Sequence, residues 1–209
     1  MDGVLIDSNP HHRLAWEAFN RRYGLETTEA MHQRMYGKRN DQIIRDFYGD
    51  ALTASEVTAR GAAKEALYRE MIAGKVESML VAGLPEFLEQ YSETPKAVAS
   101  NAEPANVEFL MENSGLRPYF QVIVDGHQVS QPKPHPEIYL RAAELLGAKP
   151  ADCIVFEDSY SGVAAARAAG MRVIGLATTH GNLPHTELTV DNFQNGDLRS
   201  WLNSHLGVW

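Results

Sequence analysis

Residues 155–171 read VFEDSYSGVAAARAAGM. With Cys153 and Ile154 in front, the first part is a β-rich run, CIVFED, that ends on two carboxylates, Glu157 and Asp158. A short, nearly continuous apolar run of this kind marks a strand buried on both faces. Asp158-Ser159 suits the cap of a helix over 161–169, and Gly170 suits its stop. A strand handing polar groups to a helix N-terminus is one unit of a parallel sheet.

Outward from that unit the same alternation recurs. KAVAS (96–100), QVIVD (121–125), RVIGLA (172–177) and LTVDN (188–192) are further short β-rich runs. Helical segments are predicted over 84–92, 103–114, 136–147 and 197–206, with Gly115 and Gly147 at two of the stops. Repeated strand–helix units imply a Rossmann-like parallel sheet with helices on both faces. In such a sheet functional groups gather beyond the C-terminal strand ends. Here those ends read Ser100-Asn101, Asp125-Gly126, Glu157-Asp158 and Thr178-Thr179. Several precede helix N-termini, which favour anions such as phosphate. Hydroxyls beside carboxylates suit a metal and a phosphoryl group.

The first third of the chain has no strand signal. Pro10 suits a first helical position after Ser8 or Asn9, Gly24 suits the stop, and Ala15, Trp16 and Phe19 share an inner face. NDQIIRDFYG (40–49) reads as a short helix, and TASE (53–56) is a capping-box pattern opening a helix to about Gly74. The expected organisation is therefore an α/β core from residues 1–9 and 82–209, with a small all-α insertion over 10–81.

Bulk properties narrow the function. The chain has 209 residues, 44% of them apolar and 22% charged, as expected of a globular domain. Its net charge of -8 argues against a nucleic-acid partner. No apolar run is long enough for a membrane span and no signal peptide is visible, so the expected location is the cytoplasm. Cys153 is the single cysteine, expected to be buried and inert.

Taken alone, each polar motif has a plain structural reading. Asp2-Gly3 is a turn, Ser100-Asn101 a helix cap before Pro104, Lys133 a solvated loop lysine, and His11-His12 a helix surface. Taken together and in order, MDGVLIDS, the hydroxyl ending AVAS, KPHPEIY and VFEDSYSGVAAARAAGM resemble the haloacid dehalogenase-like superfamily. The nearest likeness is the branch of β-phosphoglucomutase and of sugar-phosphate and phosphoglycolate phosphatases. The helical insertion matches the position of that branch's cap.

That resemblance implies a phosphate ester reacting through an aspartyl-phosphate with Mg²⁺. Asp2 matches the second aspartate, the acid/base, whose backbone carbonyl also faces the metal. Ser100 and Lys133 match the groups that steady the transferring phosphoryl group, with Asn101 beside them. Asp158 matches a metal ligand, and Glu157 lies in the metal's surroundings. In the cap, GKRN resembles a substrate-reading loop, with Arg39 gripping a distal phosphate or carboxylate. His12 matches a cap-hinge histidine of the mutases.

The family pattern is an apolar strand followed by Asp-x-Asp-Gly, and Met1 stands at the x. The resemblance therefore puts the nucleophilic aspartate immediately before Met1, and the central strand before that. Losing about five residues of a central strand forfeits roughly ten ladder bonds at about 0.5–1.5 kcal/mol each. That is comparable with the ~5–15 kcal/mol stability of a domain. Translation from an upstream start is thus expected, with the 209-residue chain inactive as it stands. The expected activity is a Mg²⁺-dependent phosphatase of small phosphorylated metabolites. A sugar-phosphate mutase and a non-catalytic phosphate-binding protein are the alternatives. Asp2 speaks against halide removal, which in this family does without a second aspartate.

Overall fold

The computed structural model describes residues 1–205. Four helices form the insertion: α1 (Asn9–Arg22), α2 (Glu29–Met35), α3 (Asn40–Tyr48) and α4 (Ala54–Ile72). The capping box at Thr53 is present, Thr53 Oγ1 accepting from Glu56 N at 3.3 Å and Glu56 Oε2 from Thr53 N at 2.8 Å. Trp16 and Phe19 of α1 pack with Met35, Ile43, Ile44 and Val57 in a separate small core. Burying Phe19 and Ile44 contributes roughly 1.5–3 kcal/mol each. Helix α2 is an addition to the sequence reading. Its start is set by Thr28, whose side chain accepts from Met31 N.

The remaining elements alternate: α5 (Leu84–Gln90), β1 (Ala97–Ala99), α6 (Pro104–Asn113), β2 (Val122–Val124), α7 (Glu137–Leu146), β3 (Ile154–Glu157), α8 (Tyr160–Ala168), β4 (Arg172–Leu176), β5 (Leu188–Val190) and α9 (Gly196–His205). Each lies within a residue or two of its expected position. The last predicted helical position, Leu206, and the rest of the terminal apolar run lie outside the described residues.

All strand pairings are parallel. Ala97 to Ala99 pair with Val122 to Val124, Ile154 to Glu157 with Arg172 to Gly175, and Ile174 to Leu176 with Leu188 to Val190. The result is two sheets, β1–β2 and β3–β4–β5. Between β1 and β3 lies a cavity of about 350 Å³, lined by Val98, Ala99, Ile154, Phe156, Met1 and Leu5.

Cap and core join through two crossings that pair with each other. Val81 N donates to Leu5 O at 3.0 Å, and Asp7 N donates to Met79 O at 2.8 Å. The cap is therefore joined to the core by a short, hydrogen-bonded pair of segments next to Asp2. Cys153, expected to be buried, is only half-buried. It precedes β3, and its thiol reaches Lys149 O at 3.3 Å.

Candidate active site

The C-terminal ends of β1, β2 and β3 converge under the cap on a cavity of about 640 Å³. Asp2, His12, Ser100, Asn101, Lys133, Glu157, Asp158 and Arg39, which the sequence singles out from five separate stretches, all line it.

Asp2 is held from two sides. Ser8 Oγ donates to its Oδ1 at 2.6 Å, and His12 Nε2 lies 3.4 Å from the same oxygen. Helix α1 starts with no side-chain cap. Burial would raise the Asp2 carboxyl, but its hydrogen bonds with His12 and Ser8 hold it well below the usual range. His12 Nδ1 lies 2.7 Å from Lys64 Nζ. An ammonium only donates, so Nδ1 accepts and the Nε2 proton faces Asp2. The His12 ring also stacks on Tyr68 with centroids 3.8 Å apart, which fixes its plane.

The turn after Asp2 is shaped by its contact with Asp158. Gly3 has φ +69°, and a Cβ there would fall 1.9 Å from Asp158 Oδ2. Only glycine meets both conditions. Asp158 itself accepts from Thr179 Oγ1 and, at 3.4 Å, from Asn9 Nδ2. Burial, then the neighbouring Glu157, pushes its pKa up to about 7.

Lys133 is buried and committed to three acceptors. Its Nζ donates to Glu157 Oε1 at 2.6 Å, Tyr139 Oη at 2.9 Å and Ala99 O at 3.1 Å. Glu157 Oε2 accepts from the backbone amides of Asp158 and Ser159 and from Ser159 Oγ, at 3.0–3.1 Å. Burial opposes its charge, but Lys133 and Tyr139 hold its pKa at about 2. Both Glu157 oxygens are thus occupied within the core, and the carboxylate serves to fix Lys133. Ser100 is buried at the end of β1, its Oγ accepting from Ala102 N at 3.1 Å. Asn101 bridges cap and core, donating to Gly37 O at 3.0 Å and accepting from Lys133 N at 3.3 Å.

Arg39 lies at the cap rim, partly exposed, 3.5 Å from Asp41. Asp125, one of the predicted strand-end groups, instead holds its own turn through His127 N and Gln128 Nε2. Among the described residues, no group of three His, Cys, Asp or Glu side chains comes together around one point. Asp158 and Asp2 both line the cavity.

Sequence reasoning passed over several groups. Lys64 and Glu65 look like a solvated stretch of helix, yet both are buried: Lys64 Nζ meets Glu65 Oε1 at 2.8 Å. Glu65 also accepts from Asn40 at 2.9 Å and from Asn106 of the core at 2.6 Å. Burial is opposed by Lys64, and the Glu65 pKa falls to about 2. Thr179 was legible only as a strand-end hydroxyl and Asn9 only as a helix-start residue, because their bonds to Asp158 join distant segments. No described helix is long and apolar enough to cross a membrane.

Known proteins share this sequence and arrangement. The family model described as haloacid dehalogenase-like hydrolase matches residues 1–170. Fructose-1-phosphate phosphatase YqaB of Escherichia coli is 31% identical over 83% of this chain and 92% of its own length. Protein CbbY of Rhodobacter capsulatus is 34% identical over 83% of this chain and 81% of its own. Among solved structures, β-phosphoglucomutase from Clostridium difficile superposes with a TM-score of 0.86 at 21% identity. The match covers 98% of this chain and 95% of that one, and it shows the shared fold. The likeness runs through both the cap and the split α/β core, and the chain belongs to the haloacid dehalogenase-like hydrolases.

Proposed function

We propose that this site transfers phosphoryl groups from small phosphorylated sugars to water, through an aspartyl-phosphate and with Mg²⁺. The carrying observation is the convergence of Asp2, Ser100, Lys133 and Asp158 on one cavity beneath the cap. Relatives named as phosphatases of fructose 1-phosphate and validoxylamine A 7'-phosphate support it. In this reading Ser100 and Lys133 bind the phosphoryl oxygens, Lys133 being aimed by Glu157 and Tyr139. Asp2 gives a proton to the leaving oxygen and takes one from water. Its depressed pKa favours the proton-accepting form, and a bound leaving group must supply the counter-pressure. The residues suit a divalent cation in part. Asp158 is a buried carboxylate whose pKa is raised first by burial and then by the neighbouring Glu157. Asp158 and the Asp2 carbonyl would hold the ion, which offsets phosphate charge when bound.

The reading puts the nucleophile at the position preceding Met1. The Met1 nitrogen is buried within reach of the charges of Asp2, Lys133, Glu157 and Asp158. A residue joined to it would enter the middle of the site. The test extends the chain by a short apolar strand ending in aspartate, and in a second version ending in asparagine. Hydrolysis of p-nitrophenyl phosphate is expected only from the aspartate version and only with Mg²⁺. Equal turnover by the 209-residue chain would put the nucleophile elsewhere.

A mutase is the second reading, favoured by His12. It links Asp2 to Lys64 of the cap, so the proton carrier has its full set of partners only with the cap in place. Such an arrangement favours a bound sugar hydroxyl over water. A requirement for a sugar bisphosphate activator distinguishes it.

A further inference from the structure

We propose that the cap end of the cavity selects a monophosphate with an uncharged, hydroxyl-bearing tail and rejects a second phosphate or a carboxylate. The inference rests on the phosphotransfer reading and specifies its substrate class.

Cations at the cap end are already matched. Lys38 pairs with Asp46 at 2.5 Å, Arg39 with Asp41 at 3.5 Å, and Lys64 with Glu65 at 2.8 Å. Glu103 adds a fourth carboxylate, held by Asn40 at 3.0 Å and in no ion pair among the described residues. Three cations therefore stand against four carboxylates. Lys64 is also beyond recruitment: it is buried, bonded to His12 and Glu65, and its ammonium lies 4.9 Å from the Trp16 ring centroid. Lys38 and Arg39 sit at the partly exposed rim. If either turned towards a ligand, its carboxylate would stay nearby.

The hydrogen-bonding sense of this end is decisive. Asn40 Nδ2 donates to both Glu65 and Glu103, leaving its carbonyl oxygen and the carboxylates as acceptors. Sugar hydroxyls donate to such a surface. Phosphate and carboxylate oxygens only accept, and they meet like charge there. Trp16 and Val57 supply an apolar wall for the carbon skeleton. The Arg39 seen in sequence as a grip for a distal anion is thus the rim of an end that repels one.

Calorimetric titration of the 209-residue chain in Mg²⁺ tests this without turnover. The probes are inorganic phosphate, fructose 1-phosphate, ribose 5-phosphate, sorbitol 6-phosphate, fructose 1,6-bisphosphate and phosphoglycolate. At least one of the three monophosphates is expected to bind ten-fold tighter than inorganic phosphate and ten-fold tighter than the bisphosphate or phosphoglycolate. In Glu103→Gln the gap between fructose 1-phosphate and fructose 1,6-bisphosphate should narrow several-fold. A bisphosphate or phosphoglycolate that binds as tightly as every monophosphate overturns the inference, as does a panel no tighter than phosphate. Absence of any phosphate binding instead defeats the phosphotransfer reading on which it stands.

Discussion

The molecule buries two lysine–glutamate pairs, Lys133–Glu157 in the core and Lys64–Glu65 in the cap. Their contacts are nearly alike, 2.6 and 2.8 Å, and both glutamates have pKa values pulled down to about 2. Their surroundings differ. Glu157 takes its remaining bonds from Tyr139, Ser159 and the start of α8, all within one body. Glu65 takes its own from Asn40 in the cap and Asn106 in the core, while Lys64 reaches His12 beside the hinge. The first pair is fixed by the fold of the core alone. The second is complete only when cap and core meet, so it reports and favours the closed arrangement.

The difference predicts unequal costs when one partner is removed. Lys133→Met leaves Glu157 as an uncompensated buried charge, which costs about 3–5 kcal/mol. A melting curve should show the drop directly. Gly162→Ala attacks the same pair from the other side, since its Cβ would fall 1.9 Å from Glu157 Cδ. If both variants melt within a degree of the parent, the core pair is not the fixed element described.

Acid should expose the pairs next. A carboxylate whose folded pKa is depressed stabilises the protein above its unfolded pKa, and that contribution is lost as pH falls through the folded value. For Glu65 and Glu157 the window runs from the ordinary 4.5 down to about 2. Each contributes of order 3 kcal/mol across it. Asp158 has the opposite sign: its raised pKa of about 7 costs stability progressively as pH rises from 3.8 towards 7. Denaturant melts between pH 2 and 8 should show a shallower acid limb in Glu65→Gln than in the parent. An unchanged limb would mean that Glu65 is not held ionised by Lys64.

Near neutral pH, Glu65→Gln is expected to cost less than Lys133→Met, about 2 kcal/mol, because a loosened cap lets water reach Lys64. Amide exchange should then rise in α4 and at the cap–core contacts, with little change in α7 and α8. Equal protection loss in both bodies would remove the distinction between the pairs.

These pairs also mark how far the sequence could be read. The alternating core and its strand ends, Ser100 and Asp158 among them, were legible from local patterns, whereas Asp2 and Lys133 stood out only through the resemblance of the ordered motifs to a known family. Lys64 and Glu65 were not legible, because adjacent charges on a helix carry no sign of which surface will cover them. Their burial comes from α1 on one side and Asn106 on the other. Ser8, one of the two residues offered for the start of α1, instead donates its hydroxyl to Asp2, and its αR backbone is not the extended form a capping residue usually adopts. Lys133 was legible as a phosphate group's partner but not as a residue with three acceptors of its own, one of them the Tyr139 hydroxyl.

The smallest effect tests the bridge itself. Asn106 donates to Glu65 Oε2 at 2.6 Å and accepts from Arg69 Nη1 at 2.5 Å. Asn106→Ala strands one carboxylate oxygen while Arg69 can turn to solvent, so the expected cost is about 1–2 kcal/mol. Asn40→Ala removes the bond on the other oxygen. If Glu65 joins cap and core as one network, the double variant departs from the sum of the singles by about 0.5 kcal/mol or more. Strict additivity would mean the two asparagines act on separate bodies, and Glu65 would then be a cap residue that happens to touch the core.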